Sequence, residues 1–174
     1  MPIVNTDLVM RLSVAAAAGD TTAGTPSTSL GDQVSTTAVV TATVDNLFDS
    51  VSGAEAAAGR TEYRCVFILN NHATLTATNT RFGLTSQTAG GGTIDFGVDP
   101  TAKSAKGSGS AQAVTVANET TAPAGVTFAG TEVTLGDLAP GEVRAVWLRR
   151  TVTAGASALN PDGAIMYALC ETLP

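Results

Sequence analysis

The chain has 174 residues, of which 44% are hydrophobic and only 14% charged. That charged share is well below the roughly 25% of an ordinary soluble domain, so Ala, Thr, Ser, Val and Gly must fill solvent-facing positions, and a mean hydropathy of +0.21 excludes global disorder. A net charge of -6 and a pI near 4.5 exclude a basic face able to neutralise phosphates, so no nucleic-acid partner is expected.

Such a length suits one domain, or one domain with an arm, and buries a core without disulfide or metal staples. Residues 1–38 differ from the rest. Leu8 to Val14 is strand-like, Ala15 to Ala18 follows, and a Gly/Thr/Ser/Pro-rich stretch continues to about Ser35. This composition buries little by itself and predicts an extended N-terminal arm or long loop that orders against a partner; a disordered leader or a first strand with a loose loop are the alternatives. Ile3, Val4, Leu8, Val9 and Leu12 are the candidate partner contacts, or else belong to that first strand. The opening residues lack a basic n-region and carry Asp7 within their apolar stretch, so no signal peptide is expected. No apolar run approaches the length of a membrane-spanning helix, and no membrane partner is expected.

Residues 39–174 carry short apolar runs punctuated by Gly, Pro, Asn and Asp. Ser52 is a helix N-cap for one or two turns over Gly53 to Ala58. Thr61 to Leu69 is a strand with Tyr63, Cys65, Phe67 and Leu69 on one face and Glu62, Arg64, Val66 and Ile68 on the other. The second face turns apolar halfway, so the strand runs from the rim into the centre. Asn70-Asn71-His72 is a turn, and the chain returns through Leu75 to Leu84. Gly90-Gly91-Gly92 lacks the Lys-Ser/Thr ending of a phosphate loop and precedes a strand, which predicts a hairpin loop. Ile94 to Val98 alternates and is closed by Asp99-Pro100, and Ala102 to Gln112 is an exposed flexible loop. Val126 to Phe128 and Glu132 to Leu135 are short strands, and Ala139-Pro140-Gly141 is a turn. Glu142 to Val152 is a long strand, Asn160-Pro161-Asp162-Gly163 a turn, and Ala164 to Cys170 the last strand. The fold class predicted is mainly β, an antiparallel β-sandwich of immunoglobulin-like appearance over residues 39–174.

Residues able to do chemistry are few. The one histidine, His72, falls in a turn, and no Gly-x-Ser-x-Gly elbow is present, so no catalytic residue is assigned and the chain is expected not to be an enzyme. Cys65, Cys170 and His72 are too few and too scattered for zinc, and the cysteines are expected to be free thiols. Asp45, Asp49 and Glu55, and likewise Asp95 and Asp99, lack EF-hand spacing and are expected as solvated loop carboxylates. No metal or cofactor is expected. Aromatic residues at 5% leave little for stacking on sugars. Trp147 is expected in the core, and Arg149 and Arg150 on opposite faces of their strand.

Asn46-Leu47-Phe48-Asp49-Ser50-Val51-Ser52-Gly53-Ala54-Glu55 with Thr61-Glu62-Tyr63-Arg64-Cys65 resembles a segment of uncharacterised virion proteins of tailed bacteriophages. Asn118 to Val126 and Leu138-Ala139-Pro140-Gly141-Glu142 through Trp147-Leu148-Arg149-Arg150 fit the same group. The resemblance covers residues 40–170 and carries no active-site motif. It implies a capsid decoration or cement protein, made in the host cytoplasm, that binds the major capsid protein on the outer capsid surface. A homo-oligomer is expected, with a trimer suited to lattice symmetry. A tail, neck or baseplate component and a receptor- or glycan-binding module are the alternatives.

Overall fold

In the computed structural model, which describes residues 2–4, 6–15, 19–157, 159 and 163–171, the apolar runs become strands. In chain order these are β1 (Leu8–Val14), β2 (Gly31–Ala38), β3 (Arg60–Asn70), β4 (Ala77–Gln87), β5 (Thr93–Val98), β6 (Ser104–Ala105), β7 (Ala113–Thr115), β8 (Glu132–Leu138), β9 (Glu142–Val152) and β10 (Ala164–Glu171). A short helix, α1 (Gly53–Ala58), precedes β3. A seven-stranded sheet has the order β5-β9-β3-β1-β2-β7, with β6 added on β9, and faces a three-stranded sheet β10-β4-β8. All pairings are antiparallel, so the expected mainly β sandwich is what forms.

Strands β3 and β9 lie at the centre because both of their faces are apolar. Val66, Ile68, Val146 and Leu148 pack between the sheets against Phe82, Phe96 and Leu138. Phe82 meets Phe96 edge-on, with ring centroids 5.1 Å apart, which joins the two sheets. On the opposite face Cys65, Phe67, Leu69, Val143, Ala145 and Trp147 are closed over by Val34, Ala113 and Val116 and by half-buried Leu30, Val126 and Phe128. That second cover is largely loop.

The described part of residues 1–38 is built into the larger sheet instead of forming a free arm. β1 lies between β3 and β2, pairing Leu8 with Asn70 through Leu12 with Val66. Leu8 and Leu12 are buried in the core between the sheets, and Ile3 packs against the same core. Val9 is half-buried on the opposite face, leaving Val4 exposed. The Ser/Thr-rich stretch is held by buried hydroxyls. Ser29 Oγ donates to Cys65 O at 2.5 Å and accepts from Ser13 N at 2.9 Å, while Gly31 N donates to Ser13 Oγ at 2.9 Å. Small polar side chains thus satisfy the backbone where β1 parts from β3, so a polar composition is compatible with burial.

Three further expectations change. Gly90 to Gly92 joins β4 and β5, which belong to different sheets, so the segment is a crossing connection rather than a hairpin. Residues 126–128 form no strand; they cross β5 at Gly97, where a Cβ would stand 2.5 Å from Val126 Cγ1. Asp99 is buried, and its carboxylate accepts from Trp147 Nε1 at 2.8 Å, Thr101 N at 2.8 Å and Val114 N at 3.0 Å. The loop after β5 is therefore fastened at its two ends, by Asp99 and by buried Gln112, while residues 107–111 between them are exposed as expected. The Pro140-Gly141 turn is as expected, with Gly141 at φ 75 and Glu142 N donating to Ala139 O at 2.9 Å. The turn expected at 160–163 lies mostly outside the described residues.

Asp99→Ala removes the acceptor of a buried indole and a half-buried amide, and should lower unfolding free energy by about 3 kcal/mol. Urea denaturation with an unchanged m-value checks this; a loss within error of zero would mean that Asp99 does not hold the loop layer.

Candidate functional site

Alternation along β3 sets Arg60, Glu62 and Arg64 on the face that carries Val66 and Ile68, and the register of β9 sets Arg150 opposite Glu62. At this end the three-stranded sheet gives way to a loop, residues 39–51, which covers the charged rim. Arg150 Nε donates to Glu62 Oε2 at 2.8 Å, and Arg60 Nε to Glu62 Oε1 at 2.6 Å, so buried Glu62 is paired on both oxygens. Arg64, also buried, donates from Nη2 to Glu119 Oε2 at 2.5 Å, from Nε to Leu47 O at 3.0 Å and from Nη1 to Tyr63 O at 3.1 Å. Arg60 reaches the other Glu119 oxygen at 2.5 Å and Glu55 at 2.7 Å.

These guanidiniums hold the loop as well as the carboxylates. Arg150 Nη1 donates to Asp49 O at 2.7 Å. The Phe48 ring sits under both cations, 4.8 Å from the Arg150 guanidinium carbon and 5.6 Å from that of Arg64. Leu47 is buried beside it in the core. At the other end of the loop Val39 N donates to Met10 O at 2.9 Å. Between these anchors Ala42 (φ 58) and Asp45 (φ 56) adopt left-handed backbone, a conformation costing roughly 1–3 kcal/mol each for residues with a Cβ. Asn46 Nδ2 on Val40 O at 2.7 Å and Ser50 Oγ on Asp45 Oδ1 at 3.0 Å brace the bend. The result is a fixed loop with its apolar anchors inside and Val40 (61% exposed) and Val44 (87% exposed) turned outward.

Chemically the cluster is a clamp. Asp49, Glu62 and Glu119 place ligand atoms within 4.8 Å of one another, but three guanidiniums already engage these oxygens. A cation would have to displace them. Burial pushes the Glu119 carboxyl up, but the hydrogen bonds and charges of Arg64 and then Arg60 outweigh it and hold the group below the usual carboxylate range. Hydrogen bonds from Ser52 do the same for Glu55, which caps α1.

Of the carboxylates expected to be solvated, Asp49 joins this cluster and Glu55 joins it through Arg60, while Asp45 bonds Ser50. Asp95 pairs with Arg149 at 2.9 Å on the opposite face, where Arg149 also lies over the Phe128 ring. Arg149 and Arg150 therefore diverge as alternation requires. His72 Nδ1 accepts from Thr74 N at 3.1 Å and Leu75 N at 3.0 Å, the role of a turn cap. Cys65 and Cys170 are free thiols, and burial pushes both up. Glu119 had no local signal in the sequence, because its partners Arg60 and Arg64 lie 59 and 55 residues away. No family model, curated protein or solved structure matches this chain.

Because the folded Glu119 pKa lies below the usual 4.5, its pairing contributes fully above that pH and is lost as pH falls through the folded value. Glu119→Gln should lower the melting temperature near neutrality and flatten its decline between about pH 5 and 3. Thermal melts across that range check this; parallel curves for the two proteins would contradict it.

Proposed function

We propose that the chain is a non-enzymatic structural protein that acts by packing against other subunits. Its proposed place is the outer surface of a tailed-phage capsid, where it binds the lattice of major capsid protein and stabilises it. The observation that carries this reading is the clamped loop 39–51, which turns Val40 and Val44 to solvent while Leu47, Phe48, Arg64 and Arg150 fix its base. An apolar loop ordered before it meets a partner loses little conformational entropy on docking.

Three further features support it. Charged groups at the rim are engaged in mutual pairing, which leaves them to hold structure rather than to transfer protons. The acidic, sparsely charged chain suits a protein–protein seam away from packaged DNA. The segment resembling phage virion proteins, Asn46 to Glu55, runs through this same loop. In this reading the docking element is loop 39–51 and not residues 1–38, whose strands are part of the body.

Purified protein should pellet with assembled capsids and not with isolated capsid subunits. Val40→Asp combined with Val44→Asp should weaken that binding by about tenfold or more with an unchanged melting temperature. Absence of capsid binding, or density for the chain confined to the neck or tail in cryo-electron micrographs of the virion, would overturn the capsid assignment.

A further inference from the structure

Strand β10 is an edge of the three-stranded sheet, and none of its eight residues, AIMYALCE, is buried. Met166, Ala168 and Cys170 pack toward the core between the sheets. Ile165, Tyr167 and Leu169 alternate onto the outer face, with Ile165 64% exposed. Tyr167 lies across β4 at Gly83, where a Cβ would stand 2.6 Å from its hydroxyl, and that hydroxyl donates to Glu132 of β8. The irregularities of the β4 pairing put no bulge in β10. From Ile165 to Met166 the partner moves from Ser86 to Leu84, and from Leu169 to Glu171 it moves from Arg81 to Thr78, so the extra residues lie on β4.

Other edges are blunted. Phe96 N on Gly130 O at 3.0 Å and Ala129 N on Phe96 O at 3.1 Å cover the free side of β5. β7 has three residues. β8 carries Glu132 and Asp137, and the Lys103 ammonium donates to Asp137 O. β10 has none of these devices: from Ala164 to Cys170 there is no charge and no proline, and among the described residues its main chain bonds only to β4. A long, regular, uncharged edge of this kind is a template for another strand.

We propose that β10 pairs antiparallel with β10 of a second copy about a two-fold axis at Tyr167, joining two three-stranded sheets into one of six strands. The sequence is self-complementary in that register. Ile165 faces the second copy's Leu169, and Met166 faces its Ala168. Glu171, the only charge in the strand, falls opposite Gly163 beyond the ladder, so no like charges meet. An extended peptide from another protein would fit the same edge, but nothing in its chemistry is matched by β10 as closely as β10 itself. The inference is independent of the capsid reading, because it concerns the purified chain alone.

Sedimentation equilibrium of the full chain tests it. The expected result is a monomer–dimer equilibrium. Ile165→Lys with Leu169→Lys places like charges opposite each other twice and should weaken association by about a hundredfold. Ile165→Lys with Leu169→Glu places opposite charges there and should restore it to within about tenfold of the parent. Both sites are on the outer face, and circular dichroism melts confirm folding of each variant. A monomer at every concentration, a trimer, a dimer indifferent to the first pair of changes, or failure of the second pair to restore association would each overturn the proposal.

Discussion

Everything in this fold depends on one strand pair, β3 with β9, being apolar on both faces. Each fully buried side chain there is worth roughly 2 kcal/mol relative to exposure, and both faces must be covered to realise it. One cover is regular, the three-stranded sheet. The other is loop, and loop backbone carries polar groups that burial would leave unsatisfied. The chain meets that cost with short polar side chains inside. Ser13 and Ser29 bond main chain between β1 and β3, Gln112 Oε1 accepts from Val34 N at 3.1 Å, and Asp99 takes donors from both the loop and Trp147. The loop layer is thereby hydrogen-bonded to the sheet it covers.

The same problem recurs at the rim, with charges in place of hydroxyls. The smaller sheet is narrower than the larger one, so loop 39–51 completes the cover over the start of β3. Its Leu47 and Phe48 bring apolar surface, but its carbonyls at 47 and 49 arrive over Arg64 and Arg150, which supply the donors. Arginine suits this place because its planar fork serves a carbonyl, a carboxylate and a ring face at once. A loop with two left-handed, non-glycine residues persists only where its surroundings fix it, and these cations do so.

Periodicity made the strands legible, and the particular residues show why other features were not. Tyr63, Cys65, Phe67 and Leu69 face one layer and Val66 and Ile68 the other, as alternation alone implies. The Ser52 cap and the Pro140-Gly141 turn are local chemistry and were equally readable. What failed was inference from composition. A Gly/Thr/Ser stretch suggested an arm because it buries little apolar surface, yet Ser13 and Ser29 are buried for their hydroxyls. Asp99 and Glu119 were opaque because Trp147 and Arg64, the side chains that donate to them, lie 48 and 55 residues away. The close approach at Gly97 was not read from the sequence, and only the folded chain shows that residues 126–128 make it.

A strand pair apolar on both faces raises a question of register. Where one face is wet, a slip of one residue exposes the core and is strongly disfavoured. Where both faces are dry, a slip exchanges one apolar set for another and hydrophobicity discriminates weakly. The charges on β9 discriminate between the alignments, with Arg150 on one face and Arg149 on the other. In the observed register Glu62 stands opposite Arg150, with the loop's carbonyls and Glu119 within reach. A one-residue slip would turn every β9 side chain to the other face. It would set Glu62 opposite Arg149 or Thr151, take Arg150 away from Glu62 and from the Asp49 carbonyl, and take Arg149 away from Asp95, while Arg60 of the same strand still held Glu62. Buried ion pairs contribute little net stability compared with apolar packing. Here they favour the alignment in which Arg150 meets Glu62 on one face while Arg149 meets Asp95 on the other, and the loop fastened to Arg150 inherits its position from that alignment.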